Sequence, residues 1–165
     1  MNSQIEQLKN AGFTGFVTVA DLRQSCSCIP DVMGVYVVLR TSHDAPSFVN
    51  PGTGGFFKGK DPNVPVSKLR ENWVDGNQIM YIGKAGDPGS SSTLRKRIKQ
   101  YIGFGEGKPV GHQGGCYIWQ LSDAADLVFA WKPLPGGYPS TEESRMIQEF
   151  KTRNGGMRPF ANRIG

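Results

Sequence analysis

The sequence predicts a single α/β (α+β) domain in which strands and helices alternate along one chain. Three observations carry this. Residues 34–40, GVYVVLR, are β-branched and aromatic, and residues 80–82 end a second apolar run just before a glycine. Two later segments, 94–102 and 140–153, repeat apolar residues at helical spacing. At 165 residues, 38% hydrophobic and 20% charged, the chain has the size and composition of one globular domain, 1–165.

The elements follow in order. Residues 3–11 predict a short helix carrying Ile5 and Leu8, with Gly12 as its stop. Thr18-Val-Ala-Asp21 reads as a capping box that opens a second short helix through Arg23. Residues 1–30 are thus expected to form an N-terminal helical extension that pads the core. After the strand at 34–40 the composition changes. Residues 41–65 hold four prolines and four glycines, so neither a helix nor a long strand fits. Residues 41–77 read as an insertion on a hairpin, ending in a short helix around 66–72. This composition predicts a loop that can be removed to leave a folded domain. Phe56, Phe57, Lys58 and Lys60 are placed to touch nucleic acid; a role in anchoring the loop suits the two phenylalanines equally well.

Residues 80–102 organise the rest. They read as a buried strand, a loop broken by Gly83, Gly86 and Gly89, and a helix capped by Thr93 and ended by Gly103. Leu94, Ile98, Tyr101 and Ile102 form the helix's buried stripe, and Arg95, Lys96 and Lys99 point away. Arg97 sits on the stripe's edge beside the glycine loop, where an arginine can meet a phosphate. Residues 103–114 are a glycine-rich loop with Lys108 and His112. Segments 116–121 and 127–131 predict further strands, with Trp119 and Trp131 at half-buried pleated positions. A turn at 133–139 leads to the helix at 140–153, which places Glu143, Met146, Ile147 and Phe150 on one face. The tail is irregular and basic.

Net charge is +5, and its placement is uneven. Residues 1–80 hold seven Lys/Arg against seven Asp/Glu; residues 81–165 hold twelve against seven. The whole excess lies in the half with the glycine loop, which suits a polyanion such as nucleic acid. Cys26, Cys28 and Cys116 do not make a disulfide framework, and Cys26-Ser-Cys28 lacks zinc spacing; buried reduced thiols are expected. No run approaches the roughly 20 apolar residues of a membrane span, and no leader is visible, so the chain reads as cytoplasmic.

The stretch around Tyr81-Ile82-Gly83 resembles the GIY-YIG endonucleases. Gly34-Val35-Tyr36 matches the first half of the signature, and Lys84-Ala85 follows the second half as in many members. Arg97 falls in the family's L-x-x-R pattern, with Tyr101 four residues on. Glu143 opens a segment similar to the metal-binding glutamate followed by isoleucine, and Pro159-Phe160-Ala161-Asn162 resembles the terminal P-x-x-N. Asn154 is the other candidate for that asparagine, by spacing. The resemblance implies a small central, mostly antiparallel sheet of about three strands flanked by helices. It also implies a metal-dependent endonuclease that hydrolyses phosphodiester bonds in double-stranded or branched DNA. A non-catalytic nucleic-acid-binding module that keeps the fold is the alternative.

In that reading Glu143 binds Mg2+ or Mn2+, since a carboxylate with waters suits a hard cation. It competes with a plainer one, because Ser140-x-x-Glu143 is itself a capping box. Arg97 clamps the phosphate with its planar fork. Tyr36 is the implied general base, with Tyr81 orienting water or phosphate, or the two exchange roles. A phenol ionises near 10, so this needs a cation nearby, with Lys84 as one source. Tyr101 completes the site by hydrogen bonding, and Asn162 orients the backbone or the metal's surroundings. Lys84, Arg95, Lys96 and Lys99 are the expected DNA contacts. A Walker loop is excluded, because no Gly-Lys-Ser/Thr occurs.

Overall fold

The run GVYVVL forms β2 (Gly34–Leu39), and all six residues are buried. A strand buried along its whole length must be paired on both edges and covered on both faces. In the computed structural model, which describes residues 4–56, 58–109 and 114–163, both conditions are met. β3 (Ile79–Ala85) and β4 (Val128–Pro133) flank β2, and β1 (Thr14–Thr18) pairs with the far edge of β4. Every pairing is antiparallel, in the order β1-β4-β2-β3. The chain is therefore a mixed α+β domain, with four strands where about three were expected.

Alternate residues of β2 serve opposite faces. Val35, Val37 and Leu39 meet Leu8 of α1 (Gln4–Asn10) and Met146 and Ile147 of α5 (Pro139–Arg153). Tyr36 and Val38 meet α2 (Val19–Gln24), α4 (Leu94–Gly105) and a 3-10 helix at Cys116–Gln120. α4 begins as its sequence requires, with the Thr93 side chain accepting from the Lys96 N–H. Leu94, Ile98, Tyr101 and Ile102 are buried as its stripe, each contributing about 1.5–3 kcal/mol.

Four expectations are corrected. The extension 1–30 is not only helical, because Thr14–Thr18 joins the sheet. A bulge between Gly15 and Val17 breaks the alternation that would have marked this strand. Residues 116–120 are a 3-10 helix rather than a strand, and Trp119 and Trp131 are fully buried rather than half-buried. A short run apolar on every side fits either backbone, and the chain enters it through Gly115 in the left-handed region, φ +74°. Cys116 is buried, but Cys28 is exposed and Cys26 half-buried. His112 and Phe57 lie outside the described residues, and Phe56 is exposed.

The fourth correction concerns the insertion. Its helix α3 (Val66–Asn72) forms where expected, yet 41–77 is laced into the core. Leu69 is fully buried, and Phe48 and Trp73 pack with Phe160. The buried Gln120 side chain donates to Val49 O and Val64 O and accepts from the Val64 N–H. Arg40 reaches Asp123 at 2.9 Å and donates to Asp44 O at 2.8 Å, fastening the insertion's start. Removing 41–77 is thus expected to unfold the domain, not spare it. Leu69→Ala alone is expected to cost about 2–5 kcal/mol in chemical denaturation. A near-native value would return the segment to the status of a detachable loop.

Candidate active-site cleft

Strand register brings Tyr36 and Tyr81 together. Tyr36 faces Gly83 across β2 and β3, and Tyr81 faces Val38. Residues two apart share a face, so Tyr36 and Tyr81 stand as a diagonal pair. Their ring centroids are 6.1 Å apart, and their side chains share a hydrogen bond. Gly83 makes the room: a Cβ there would lie 2.5 Å from the Tyr36 ring. Gly83 of β3 is thus the seat of Tyr36 of β2.

Beyond β3 the chain turns at Gly86, φ +81°, and delivers Asp87 to the start of α5. The Ser140 N–H donates to Asp87 Oδ1 at 3.0 Å, and its hydroxyl to Asp87 Oδ2 at 2.5 Å. Lys84 Nζ donates to Asp87 Oδ2 at 2.7 Å and to Ser140 Oγ at 2.6 Å. These bonds hold the Asp87 carboxyl at about 2, with the Lys84 bond as the largest cause. The capping box Ser140–Glu143 is therefore not formed. Pro139 opens the helix, and Ser140 is engaged with a residue of the glycine loop.

Glu143 is left on the apolar face with Met146, Ile147 and Phe150, half-buried and facing the cleft. Among the described residues it makes no hydrogen bond or ion pair. Burial pushes its carboxyl up; Lys84 and Arg97 oppose this, and Asp87 adds to it. Arg97, one turn into α4, is half-buried on the facing wall, with a long 3.4 Å contact to Gln100. An open cleft of about 330 Å3 joins Tyr36, Tyr81, Lys84, Arg97 and Glu143 with Asp87, Ser90 and Ser92.

The other expected residues lie around this cleft. Tyr101 is buried behind it, edge-on to Tyr81 at 5.5 Å between ring centroids, and gives its hydroxyl to Gly115 O at 2.6 Å. Asn162 pairs with the outer edge of β3: Ile82 N–H donates to Oδ1 and Nδ2 donates to Ile82 O, both at 2.9 Å. It fixes the residue after Tyr81 and covers an open sheet edge. Asn154 bonds Phe150 O and Asn77 instead. Lys96 is exposed and reaches Ser91 O at 3.3 Å. Arg95 and Lys99 line a different groove across α4. The Arg95 guanidinium there donates to Ile29 O at 2.8 Å.

Burial raises the phenols too, Tyr81 to about 12 and Tyr36 and Tyr101 well above the usual range; Arg97 opposes this in each. Both cleft tyrosines are therefore neutral phenols near pH 7. A divalent cation fits this donor set. Glu143 is an unengaged carboxylate, and the Ser90, Ser92 and tyrosine hydroxyls around it are hard oxygens. No group of three or more His, Cys, Asp or Glu forms a metal cluster among the described residues, so a cation would depend on one carboxylate and water. No helix among them is long and apolar enough to cross a membrane.

Asp87 was not expected in the site, and Ser140 was expected only as a helix cap. Each is a single polar residue beside a glycine or proline, 53 positions from its partner. No family model, curated protein or solved structure matches the chain significantly.

Proposed function

We propose that this cleft is the active centre of a metal-dependent DNA endonuclease of the GIY-YIG type. One observation carries the reading. Tyr36, Tyr81, Lys84, Arg97 and Glu143 come from two strands and two helices, yet line a single cleft. Each matches the role that phosphodiester hydrolysis demands. Glu143 holds Mg2+ or Mn2+, which when bound supplies positive charge to the phosphoryl and leaving oxygens. Arg97 grips two phosphate oxygens with a guanidinium that stays charged. Lys84 adds an N–H donor from the opposite wall. Tyr36 shares a hydrogen bond with Tyr81 and takes a proton from the attacking water. Its own proton passes to Tyr81, and the Tyr81 proton to solvent. As neutral phenols the pair relays rather than stores a proton. Lys96, beside the loop, extends the phosphate contacts; Arg95 and Lys99 serve DNA only if it wraps α4.

The test is incubation of the purified protein with plasmid, single-stranded and branched DNA under Mg2+, Mn2+ or EDTA. Cleavage with either metal and none with EDTA is the expected outcome. Tight binding without cleavage would support the non-catalytic module instead.

The pH profile follows from Glu143. Its carboxyl must be ionised to hold a cation, and burial raises it above the ordinary 4.5. At sub-saturating Mg2+, the rate should rise with pH on a limb displaced upward from that value. No tyrosine titration should appear below about 12, the position of Tyr81. An acid limb at or below 4.5 would remove Glu143 as the controlling group.

A further inference from the structure

Lys84, Asp87 and Ser140 close a ring of hydrogen bonds between the end of β3, the glycine loop and the first turn of α5. An ammonium carries three N–H donors. The ring takes two, at 2.7 Å to Asp87 and 2.6 Å to Ser140, and leaves the third. Lys84 shares the cleft with Arg97 and Glu143, so that third donor has the cleft as its outlet. Ser140 also lies one helical turn before Glu143. The ring therefore sets Lys84 and Glu143 in a fixed relation, although they belong to different elements.

We infer that Asp87 and Ser140 are positioning residues for phosphodiester hydrolysis, holding the third N–H of Lys84 on a phosphoryl oxygen of DNA in the cleft. This rests on the nuclease reading. A free lysine samples many rotamers, and one held by two acceptors does not. Asp87 also offsets the charge of Lys84, so the lysine acts through where its N–H points rather than as long-range attraction for DNA. Loss of the ring should lower the rate of the chemical step and leave DNA affinity alone.

Ser140→Ala separates positioning from helix capping. It removes the hydroxyl that Lys84 needs and keeps the N–H bond to Asp87 Oδ1 that caps α5. Single-turnover cleavage of one duplex should slow about tenfold, with DNA Kd changed by less than about twofold and the melting temperature near that of wild type. The deciding step is a cycle with Lys84→Met. In that background Ser140→Ala should slow the residual rate no further, because Ser140 acts through Lys84. The 15N signal of the Lys84 ammonium, protected from exchange in the wild type, should be lost in Ser140→Ala. Asp87→Asn, which keeps an acceptor for the helix cap, supplies a second cycle if Ser140→Ala does not fold. Equal slowing in both backgrounds, with the ammonium signal retained, would overturn the positioning role while the nuclease reading stands. Absence of cleavage by the wild type would overturn the nuclease reading itself and the positioning role with it.

Discussion

Glu143→Gln is expected to abolish metal-dependent cleavage, by on the order of 100-fold or more, while DNA binding persists. The side chain keeps its size and loses its charge. Met146, Ile147 and Phe150 remain buried around it, so α5 should stay docked on β2 and β3. Two further facts sharpen the expectation. Glu143 has no hydrogen-bond or ion-pair partner among the described residues, so no structural contact is lost. Ser140 is bonded to Asp87, so the capping box that would have given Glu143 a purely structural task does not exist. Removing a carboxylate whose ionisation burial opposes should, if anything, raise stability. DNA affinity should hold or rise, because a negative charge beside the phosphate path has gone. Glu142→Gln is the control. Glu142 pairs with Arg145 on the outer face, and an exposed pair of this kind contributes at most about 1 kcal/mol. Cleavage measured against Mg2+ concentration, with binding in parallel, checks both variants. Wild-type activity in the Glu143 variant would remove the metal site.

Arg97→Ala is expected to reduce cleavage by on the order of 100-fold or more with little change in folding. Its guanidinium lines the cleft and, among the described residues, its one hydrogen bond is a 3.4 Å contact with Gln100, so little stability depends on it. Arg97 also opposes the burial of Tyr36, Tyr81 and Glu143, so its loss should push the acid limb of the pH profile further up. Arg95→Ala should do the reverse. That side chain ties α4 to Ile29 O and Ser27 O and faces the other groove, so it should cost some stability and little rate. Single-turnover rates and melting curves for the two variants separate the roles. Equal losses of rate would show that α4 presents the wrong arginine to the cleft.

Much of this site was legible because the chemistry and the local pattern agree. The stripe Leu94, Ile98, Tyr101 and Ile102 fixes which side of α4 is buried, and that leaves Arg97 on the cleft side and Arg95 across the helix. The period of two in β2 and β3 places Tyr36 and Tyr81 on one face once the strands pair. β1 was hidden by its bulge at Gly15, and the 3-10 helix at Cys116–Gln120 by an apolar run without a period. The insertion misled for a different reason. Its prolines and glycines describe its backbone correctly, but nothing local reveals that Leu69, Phe48 and the partners of Gln120 are core. The Lys84–Asp87–Ser140 ring was illegible because Ser140, which closes it, is brought in by tertiary contact from 53 positions away.

The most direct test of the central claim, a divalent cation held by Glu143 in the cleft of Tyr36, Tyr81 and Arg97, is Mn2+ titration of the 15N-labelled protein followed by NMR. The expected result is paramagnetic broadening centred on the amides of Tyr36, Tyr81, Lys84 and Glu143, absent from the Glu143→Gln variant at the same Mn2+ concentration. Broadening centred elsewhere, or unchanged in the variant, would contradict it.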